Sequence, residues 1–328
     1  MRGSFVPPEV DTLQQILWHF GSHRVLTVAV RTGIMRRLAE GPADTDQVAR
    51  ELELDPVATG KIVRALCALG LVERGRGRVF RLVSGLNPLF VPGMFDVSAL
   101  IDLSHDLFDM WGENLEPWVR GQRQPLHELS DDQLERFSVA MGAMTNHLAP
   151  QILGTLRAGK ARRGLDLGGG LGGYAAAFCR MNRDLHMTVV DVEKVVELGR
   201  SMLTDPAIKD RITFIAGSYF EVELGADHDM VILSNVLHQE LPEAAERLVR
   251  LAAECLAPGG RMAIVDFAID DQRLAHKAGC LSAINMFGFG DVYTEPTIQR
   301  WMEAAGLTGI HRADLYPVHW LITGQRGS

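Results

Sequence analysis

The sequence predicts an α/β protein in which a mostly parallel, doubly wound sheet follows a largely helical N-terminal region. Three observations support this fold class. Helical periodicity covers most of residues 12–160, strand-like and helix-like segments alternate from residue 163 onwards, and the glycine-rich stretch Gly168–Gly173 directly follows the first of those strands. Such alternation places helices on both faces of a parallel sheet.

The N-terminal 95 residues have the pattern of a winged helix, three helices followed by a β-hairpin. Asp55-Pro56 is a helix start, because Asp caps a first turn and Pro fits it, and Gly70 suits the helix end. Gly75-Arg76-Gly77 predicts the hairpin turn. We expect residues 1–95 to form a dimerisation domain, because their apolar helices exceed what so small a unit can bury. The predicted elements are helices within 12–40 and at 45–52 and 56–69, and strands at 71–74 and 78–83.

Charge argues against a nucleic-acid partner. The chain has 33 basic and 41 acidic residues and a net charge of −8. Residues 1–95 are slightly basic, but the helix that would enter DNA offers only Lys61 and Arg64, whereas a DNA reader needs contacts along that helix. A ligand-sensing regulator built on the winged helix stays open as the alternative from another class.

Composition and motifs also indicate the cellular compartment and argue against a bound metal. No run of about 18 apolar residues predicts a membrane span, and Glu9 and Asp11 replace the apolar core of a signal peptide. The four cysteines are far apart and the eleven histidines form no metal-binding motif. We therefore expect a cytoplasmic protein with reduced thiols, no membrane partner and no metal.

Residues 96–160 are predicted to be a helical linker that carries substrate-pocket helices. Its apolar residues form two stripes at helical spacing, one that includes Trp111 and one that includes Met141. Aromatic and Met stripes are usually core, but these lie between two predicted domains, where small-molecule pockets are common.

Residues 161–328 are predicted to form the cofactor-binding catalytic domain. Leu256–Arg261 contains Pro258-Gly259-Gly260, which predicts a turn before the fifth strand. The predicted strands are 163–167, 187–191, 212–216, 229–234, 261–267, 308–313 and 318–324.

The glycine stretch is the strongest functional motif. Glycines are needed where a Cβ would hold the backbone away from a ligand. Asp191 ends the second strand, where an acid can bind ribose hydroxyls. Gly168, Gly170 and Gly173 also satisfy G-x-G-x-x-G, so a nicotinamide dinucleotide is an alternative. Asp166 favours S-adenosylmethionine instead, because an acid there can hold an ammonium group but suits a pyrophosphate poorly.

Residues 12–324 resemble the small-molecule O-methyltransferases that include the caffeic acid and hydroxyindole enzymes and bacterial natural-product and pigment members. Asp166-x-Gly168-Gly169-Gly170-x-Gly172, Gly217-Ser218-Tyr219-Phe220 and the Phe137–Thr145 segment carry the resemblance. It implies a Rossmann-like methyltransferase sheet behind a winged-helix dimerisation domain, with S-adenosylmethionine as cofactor. The implied cofactor-binding residues are Asp166, Gly168, Gly170, Gly172, Asp191, Gly217, Ser218, Tyr219, Ser234 and Thr145, and the implied substrate-binding residues are Trp111, Met141, Met286 and Phe287.

His238 is the candidate general base. It follows the fourth strand, at the sheet edge where open α/β sheets bind ligands. The resembled family has Leu-His-Asp-Trp in this stretch, and its His takes the acceptor proton. Here Gln239 replaces the Asp, whereas Asp266 matches a second family acid and is expected to orient His238. A later family Glu falls at Val292, for which Asp291 is a possible substitute.

The sequence thus predicts a homodimeric methyltransferase that acts on a small, aromatic secondary metabolite or pigment precursor, on oxygen, with His238 and Asp266 as catalytic residues. The replaced acids leave C- or N-methylation by proximity open. Bacteriochlorophyll-type C-methyltransferases share this architecture. A nicotinamide oxidoreductase is the other enzyme alternative.

Overall fold

The computed structural model describes residues 8–92, 96–122, 131–270, 277–315 and 319–327. The chain divides into two compact units, residues 1–109 and 110–328.

The first unit is helical with a small antiparallel sheet of order β1-β3-β2. Asp44 and Asp55 cap α3 and α4 by accepting the amides of Gln47 and Ala58, and Gly70 is left-handed at φ +73°, as its predicted place at a helix end requires. Its elements are α1 Pro8–Arg31, α2 Ile34–Glu40, β1 Ala43–Asp44, α3 Thr45–Glu51, α4 Pro56–Ala68, β2 Val72–Arg74, β3 Val79–Leu82 and α5 Ser98–Val119, which continues into the second unit.

The second unit is a seven-stranded sheet with helices on both faces, which confirms the predicted fold class. Its elements are α6 Asp131–Leu156, β4 Arg163–Leu167, α7 Gly173–Met181, β5 His186–Asp191, α8 Glu193–Met202, β6 Ile212–Ala216, β7 His228–Ser234, α9 Pro242–Glu254, β8 Leu256–Phe267, α10 Lys277–Asn285, α11 Glu295–Ala304, β9 Leu307–Leu315 and β10 His319–Arg326.

The strand order β6-β5-β4-β7-β8-β10-β9 puts β4 at the centre of five parallel strands. β10 runs antiparallel to both β8 and β9. The predicted bounds of β4 and β6 are confirmed residue for residue, and the other predicted strands overlap the observed ones. One hydrophobic cluster on each face of the sheet holds the helices, with Ile152 and Phe178 on one side and Leu248 on the other.

The predicted position of Pro258-Gly259-Gly260 before the fifth strand is wrong. These residues lie inside β8, which extends from Leu256 to Phe267. The β7–β8 register shifts between His228 and Met230, and Gly259 has a left-handed φ of +76°. The residues between Leu256 and Arg261 that have no partner on β7 form a bulge. The local sequence cannot distinguish such a bulge from a turn, because Gly at positive φ is typical of both.

No helix of the described ranges is both long and apolar enough to cross a membrane.

Replacement of Phe178 tests how the sheet packs against α7. Its side chain is fully buried, so Phe178→Ala should lower the free energy of unfolding by about 3–5 kcal/mol through lost burial and a cavity. Urea unfolding followed by far-UV circular dichroism measures this. Met181→Ala, at a half-exposed position of the same helix, is the control and should change stability by no more than about 0.5 kcal/mol. Equal effects of the two substitutions would contradict the assigned core.

Candidate active site

The glycine loop between β4 and α7 depends on glycine for two separate reasons. Gly168 and Gly172 have left-handed φ values of +67° and +76°. A Cβ on Gly168 would lie 2.8 Å from Val236, and one on Gly172 would lie 2.9 Å from Phe214, so neither position has room for a side chain. Gly170 is also left-handed, but a Cβ on this residue would meet no atom within 4 Å. The loop is therefore packed on its inner side and leaves the backbone of Gly170 accessible to a ligand.

Asp166 is a completely buried carboxyl group beneath this loop. A Cβ on Gly169 would lie 2.6 Å from its Cγ, so the loop backbone rests directly on the carboxylate. Neither carboxylate oxygen has a hydrogen-bond partner within the described residues. Burial, together with the charge of Asp191, raises the pKa of Asp166 from 3.8 to about 8. A buried acid without a partner is costly, and an ammonium group or another donor from a ligand would offset that cost.

Asp191 joins the loop to the neighbouring strands. Its Oδ2 accepts the amide of Gly170 at 2.8 Å and its Oδ1 accepts the amide of Val192 at 2.8 Å. Its main-chain oxygen accepts the amide of Gly217 at 2.9 Å. Burial raises the pKa of this carboxyl group as well. Each oxygen keeps a lone pair, so the carboxylate can still accept hydrogen bonds from a diol.

The segment after β6 forms a tight turn. Gly217 has a φ of +139°, and the Ser218 hydroxyl accepts the amide of Phe220 at 3.2 Å. Ser218 is thus engaged in the turn and is exposed. The ring of Tyr219 packs edge-on against Phe220, with 4.8 Å between centroids.

Two further predicted cofactor residues lie beside the loop. Gly173, the first residue of α7, packs against the side chain of Thr145 on α6. Ser234 ends β7, and its hydroxyl lies next to the phenol of Tyr174. The structure therefore brings Thr145, the loop and the ends of β5 and β7 together at the carboxyl edge of the sheet.

His238 and Asp266 form a buried pair at the same edge. His238 lies in a short 3₁₀ turn after β7, and Asp266 lies near the end of β8. The Nδ1 atom of His238 is 2.6 Å from Oδ1 of Asp266, and the amide of His238 donates to Oδ2 at 3.3 Å. Because an ionised carboxylate only accepts, Asp266 places the imidazole proton on Nδ1 and leaves the lone pair on Nε2.

The possible substitute acid has a different contact. The carboxylate of Asp291 accepts the amide of Val292 at 2.7 Å and is exposed, whereas Val292 is buried. Asp266 is therefore the acid that the structure places on His238.

The predicted substrate residues are half-buried. Trp111 Nε1 donates to Oδ1 of Asn285 at 2.6 Å, which ties α5 to α10. The rings of Trp118 and Phe287 meet edge to face at 5.7 Å. Gly290 then packs against the main-chain oxygen of His238. The aromatic segment around Met286 and Phe287 thus continues to the His238 turn, while Met141 lies on α6.

Sequence reasoning missed the residues that support the His238 turn. Asn235 has a left-handed φ of +54°, and its side-chain oxygen lies 3.0 Å from Nε2 of His319. Burial lowers the pKa of His319 to about 4. Glu240 accepts hydrogen bonds from Tyr219 and, through its main chain, from Tyr293. The local signal for this turn was the Asn that directly follows the predicted strand. The contacts with His319, Tyr219 and Tyr293 join distant segments and therefore leave no local sequence pattern.

Within the described ranges, no three His, Cys, Asp or Glu residues are grouped so that they could hold a metal ion.

Comparison with known proteins identifies the family of this chain. The family model of the O-methyltransferase domain matches residues 121–308, and the chain belongs to that family. It is an S-adenosylmethionine-dependent O-methyltransferase.

Individual relatives share about a quarter of their aligned residues with this chain. The chain is 26% identical over 304 residues to the 3-hydroxy-5-methyl-1-naphthoate 3-O-methyltransferase of Streptomyces sahachiroi, which covers 88% of this chain and 86% of that protein. It is 26% identical over 278 residues to the acetylserotonin O-methyltransferase of Mus musculus, with 77% and 72% covered. The human N-acetylserotonin methyltransferase, solved in complex with S-adenosylmethionine, shares the fold at a TM-score of 0.87 and 21% identity, over 99% of this chain and 100% of that one.

Asp166 makes the stability of the cofactor-free protein depend on pH. Its folded pKa of about 8 lies above the ordinary 3.8, so stability that is present below the lower value is lost as pH rises through the higher one. Asp166→Asn cannot ionise, and the variant should gain melting temperature over the wild type progressively across that interval. Thermal unfolding at a series of pH values measures the difference.

Asp205→Asn is the control, because Asp205 is a partly exposed acid paired with Arg180. It should show no such rise relative to the wild type. A difference between Asp166→Asn and the wild type that stays constant with pH would contradict a buried, unpartnered carboxylate.

Proposed function

We propose that the protein methylates a hydroxyl group of a small aromatic secondary metabolite, with His238 as general base. The observation that carries this proposal is the buried His238–Asp266 pair, 2.6 Å apart, at the sheet edge that also holds Asp166 and the glycine loop. A base, an orienting acid and a cofactor cradle at one edge are the parts that methyl transfer to oxygen requires.

The residues around the loop fit S-adenosylmethionine. The unpartnered carboxylate of Asp166 would accept the ammonium group, and Asp191 would accept the ribose hydroxyls while it keeps the amide of Gly170 in place. Gly217 and Tyr219 would flank the adenine, and Thr145 and Ser234 would lie at the amino-acid end. When bound, the cofactor supplies an activated methyl group on a sulfonium centre.

His238 would remove the acceptor proton during transfer. Asp266 holds Nδ1 and stabilises the imidazolium that forms, so Nε2 stays directed away from Asp266 as the basic atom. Phe267 packs against the imidazole at 5.1 Å between ring centroids. His238 and Asp266 are nearly inaccessible to solvent, and this keeps bulk water from competing for the proton.

The acceptor is proposed to be aromatic because Trp111, Trp118 and Phe287 supply flat apolar surfaces along the segment that leads from Asn285 to Gly290 at the His238 turn. The names of relatives support this class: a hydroxynaphthoate in Streptomyces sahachiroi and acetylserotonin in the mouse. The His–acid pair supports base-assisted transfer to the acceptor oxygen, even though Gln239 replaces the family Asp.

Replacement of the base tests the mechanism. With 3-hydroxy-5-methyl-1-naphthoate and N-acetylserotonin as probe acceptors, His238→Gln should lower the single-turnover transfer rate by about 10²–10⁴-fold. Rapid-quench assays with methyl-labelled cofactor measure this effect.

Gln239→Ala is the matched control in the same turn, since this exposed side chain contacts only the main-chain oxygen of Asn235 in the described hydrogen bonds. It should stay within about threefold of the wild-type rate. A loss of less than about threefold in His238→Gln would instead show that transfer to oxygen proceeds by proximity, without His238 as base.

The N-terminal unit is proposed to be a winged-helix dimerisation module. Its helices and small sheet follow the predicted winged-helix order. Along α1, four large apolar residues at helical spacing are each more than half exposed: Leu13, Ile16, Leu17 and Phe20. A continuous apolar stripe of this kind normally marks a protein interface, and we assign it to a second copy of the chain.

A charge in the stripe should weaken the dimer. Leu17→Glu would bury a carboxylate in the proposed interface, and sedimentation velocity at micromolar concentration should show a shift from dimer to monomer. Val57→Glu changes an equally exposed position on α4 and should leave the dimer intact. A wild type that sediments as a monomer would refute this assignment.

A further inference from the structure

Glu240 connects two loops of the site that are far apart in sequence. The phenol of Tyr219, in the turn after β6, donates to its carboxylate, and the phenol of Tyr293 donates to its main-chain oxygen. Neither contact takes part in the proton transfer described above.

The backbone fixes Glu240 relative to His238. The amide of Glu240 donates to the main-chain oxygen of Leu237 at 3.0 Å and closes the 3₁₀ turn that contains His238. Gly290 packs against the other side of this turn, with no room for a Cβ beside the His238 carbonyl. Because the turn is only three residues long and is closed in this way, a displacement of Glu240 moves His238 as well.

Tyr219 fixes the other end of the contact. It is two residues from Gly217, whose amide donates to Asp191 at 2.9 Å, so its turn is tied to the acid at the end of β5. Burial and the hydrogen bond to Glu240 both raise the pKa of the Tyr219 phenol. The phenol therefore stays protonated and donates to the carboxylate throughout the neutral range.

We propose that Glu240 is a positioning residue that couples occupation of the cofactor site to the orientation of His238. A cofactor seated against Gly217 and Tyr219 holds the Tyr219 phenol on Glu240, and this contact fixes the turn that carries the base. The inference rests on the proposed cofactor site. Since such coupling is reciprocal, loss of the contact weakens cofactor binding and loosens His238 together.

Calorimetric titration with S-adenosylhomocysteine tests the cofactor side without an acceptor. Tyr219→Phe and Glu240→Leu should each lower its affinity by about tenfold, the scale of a lost hydrogen bond to a charged group. The double variant should lose no more than either single variant, because both remove the same contact. Glu240→Gln keeps an acceptor oxygen and should retain affinity within about threefold.

Tyr293→Phe is the matched control. It removes a phenol that donates to the main-chain oxygen of Glu240 and not to its carboxylate. It should leave the affinity for S-adenosylhomocysteine unchanged. Additive losses in the double variant, or an equal loss in Tyr293→Phe, would overturn the proposal.

The His238 side is measured by NMR of the imidazole ring. Addition of S-adenosylhomocysteine should shift the His238 resonances in the wild type and in Glu240→Gln, and leave them nearly unchanged in saturated Tyr219→Phe. A role in stability alone would lower the melting temperature and preserve the ligand-induced shift, which would overturn the coupling. A wild type that fails to bind S-adenosylhomocysteine would refute the proposed function instead.

Discussion

The parallel alignment of β4 between β5 and β7 is the constraint on which the whole site depends. Leu167 pairs with Val190 on one side and with Leu233 on the other. The three strands therefore end together, and Gly168, Asp191 and Ser234 meet at one edge although they are far apart in sequence. The amide of Gly168 also donates to the oxygen of Val190 at 2.8 Å, so the glycine loop begins as a continuation of the sheet. A slip of one residue would turn Asp166 towards the opposite face.

The same edge concentrates groups that are costly in the absence of a ligand. Asp166 and Asp191 are both carboxyl groups with raised pKa values, and the first has no partner in the described structure. The apolar clusters on both faces of the sheet offset this cost. Such a distribution is typical of binding sites, where stability is given up locally for ligands that will satisfy the buried groups.

One of the strained backbone positions directly precedes the turn that carries His238. Asn235 adopts a left-handed conformation between β7 and His238, which is unfavourable for most residues other than Gly. Two contacts at the sheet edge hold it there: its amide donates to the main-chain oxygen of Val265, and its side-chain oxygen lies 3.0 Å from Nε2 of His319. Because burial keeps the pKa of His319 near 4, this imidazole is neutral at ordinary pH and keeps a single N–H for Asn235. The turn that carries His238 is thus held in place by residues that never touch the reacting atoms.

The local sequence was sufficient for the strands, the helix caps and the glycine loop, because periodicity, Asp caps and glycines act over a few residues. Asp55 and Gly70 cap as predicted, and β4 and β6 have the predicted bounds. The sequence also identified His238 and Asp266 as a pair, but through a family resemblance, since nothing local links residues 28 positions apart.

Tertiary structure alone decided the remaining features. The Pro-Gly-Gly stretch is a bulge within β8 because the register with β7, and not the local sequence, fixes where the strand begins. The contacts of Glu240 with Tyr219 and of His319 with Asn235 join segments that the chain order separates. Sequence patterns record local conformational preference and burial, whereas a hydrogen bond between distant loops depends on how strands are ordered in the sheet. For this protein the sequence determined which elements form and which cofactor they suit, and the strand order determined which side chains meet.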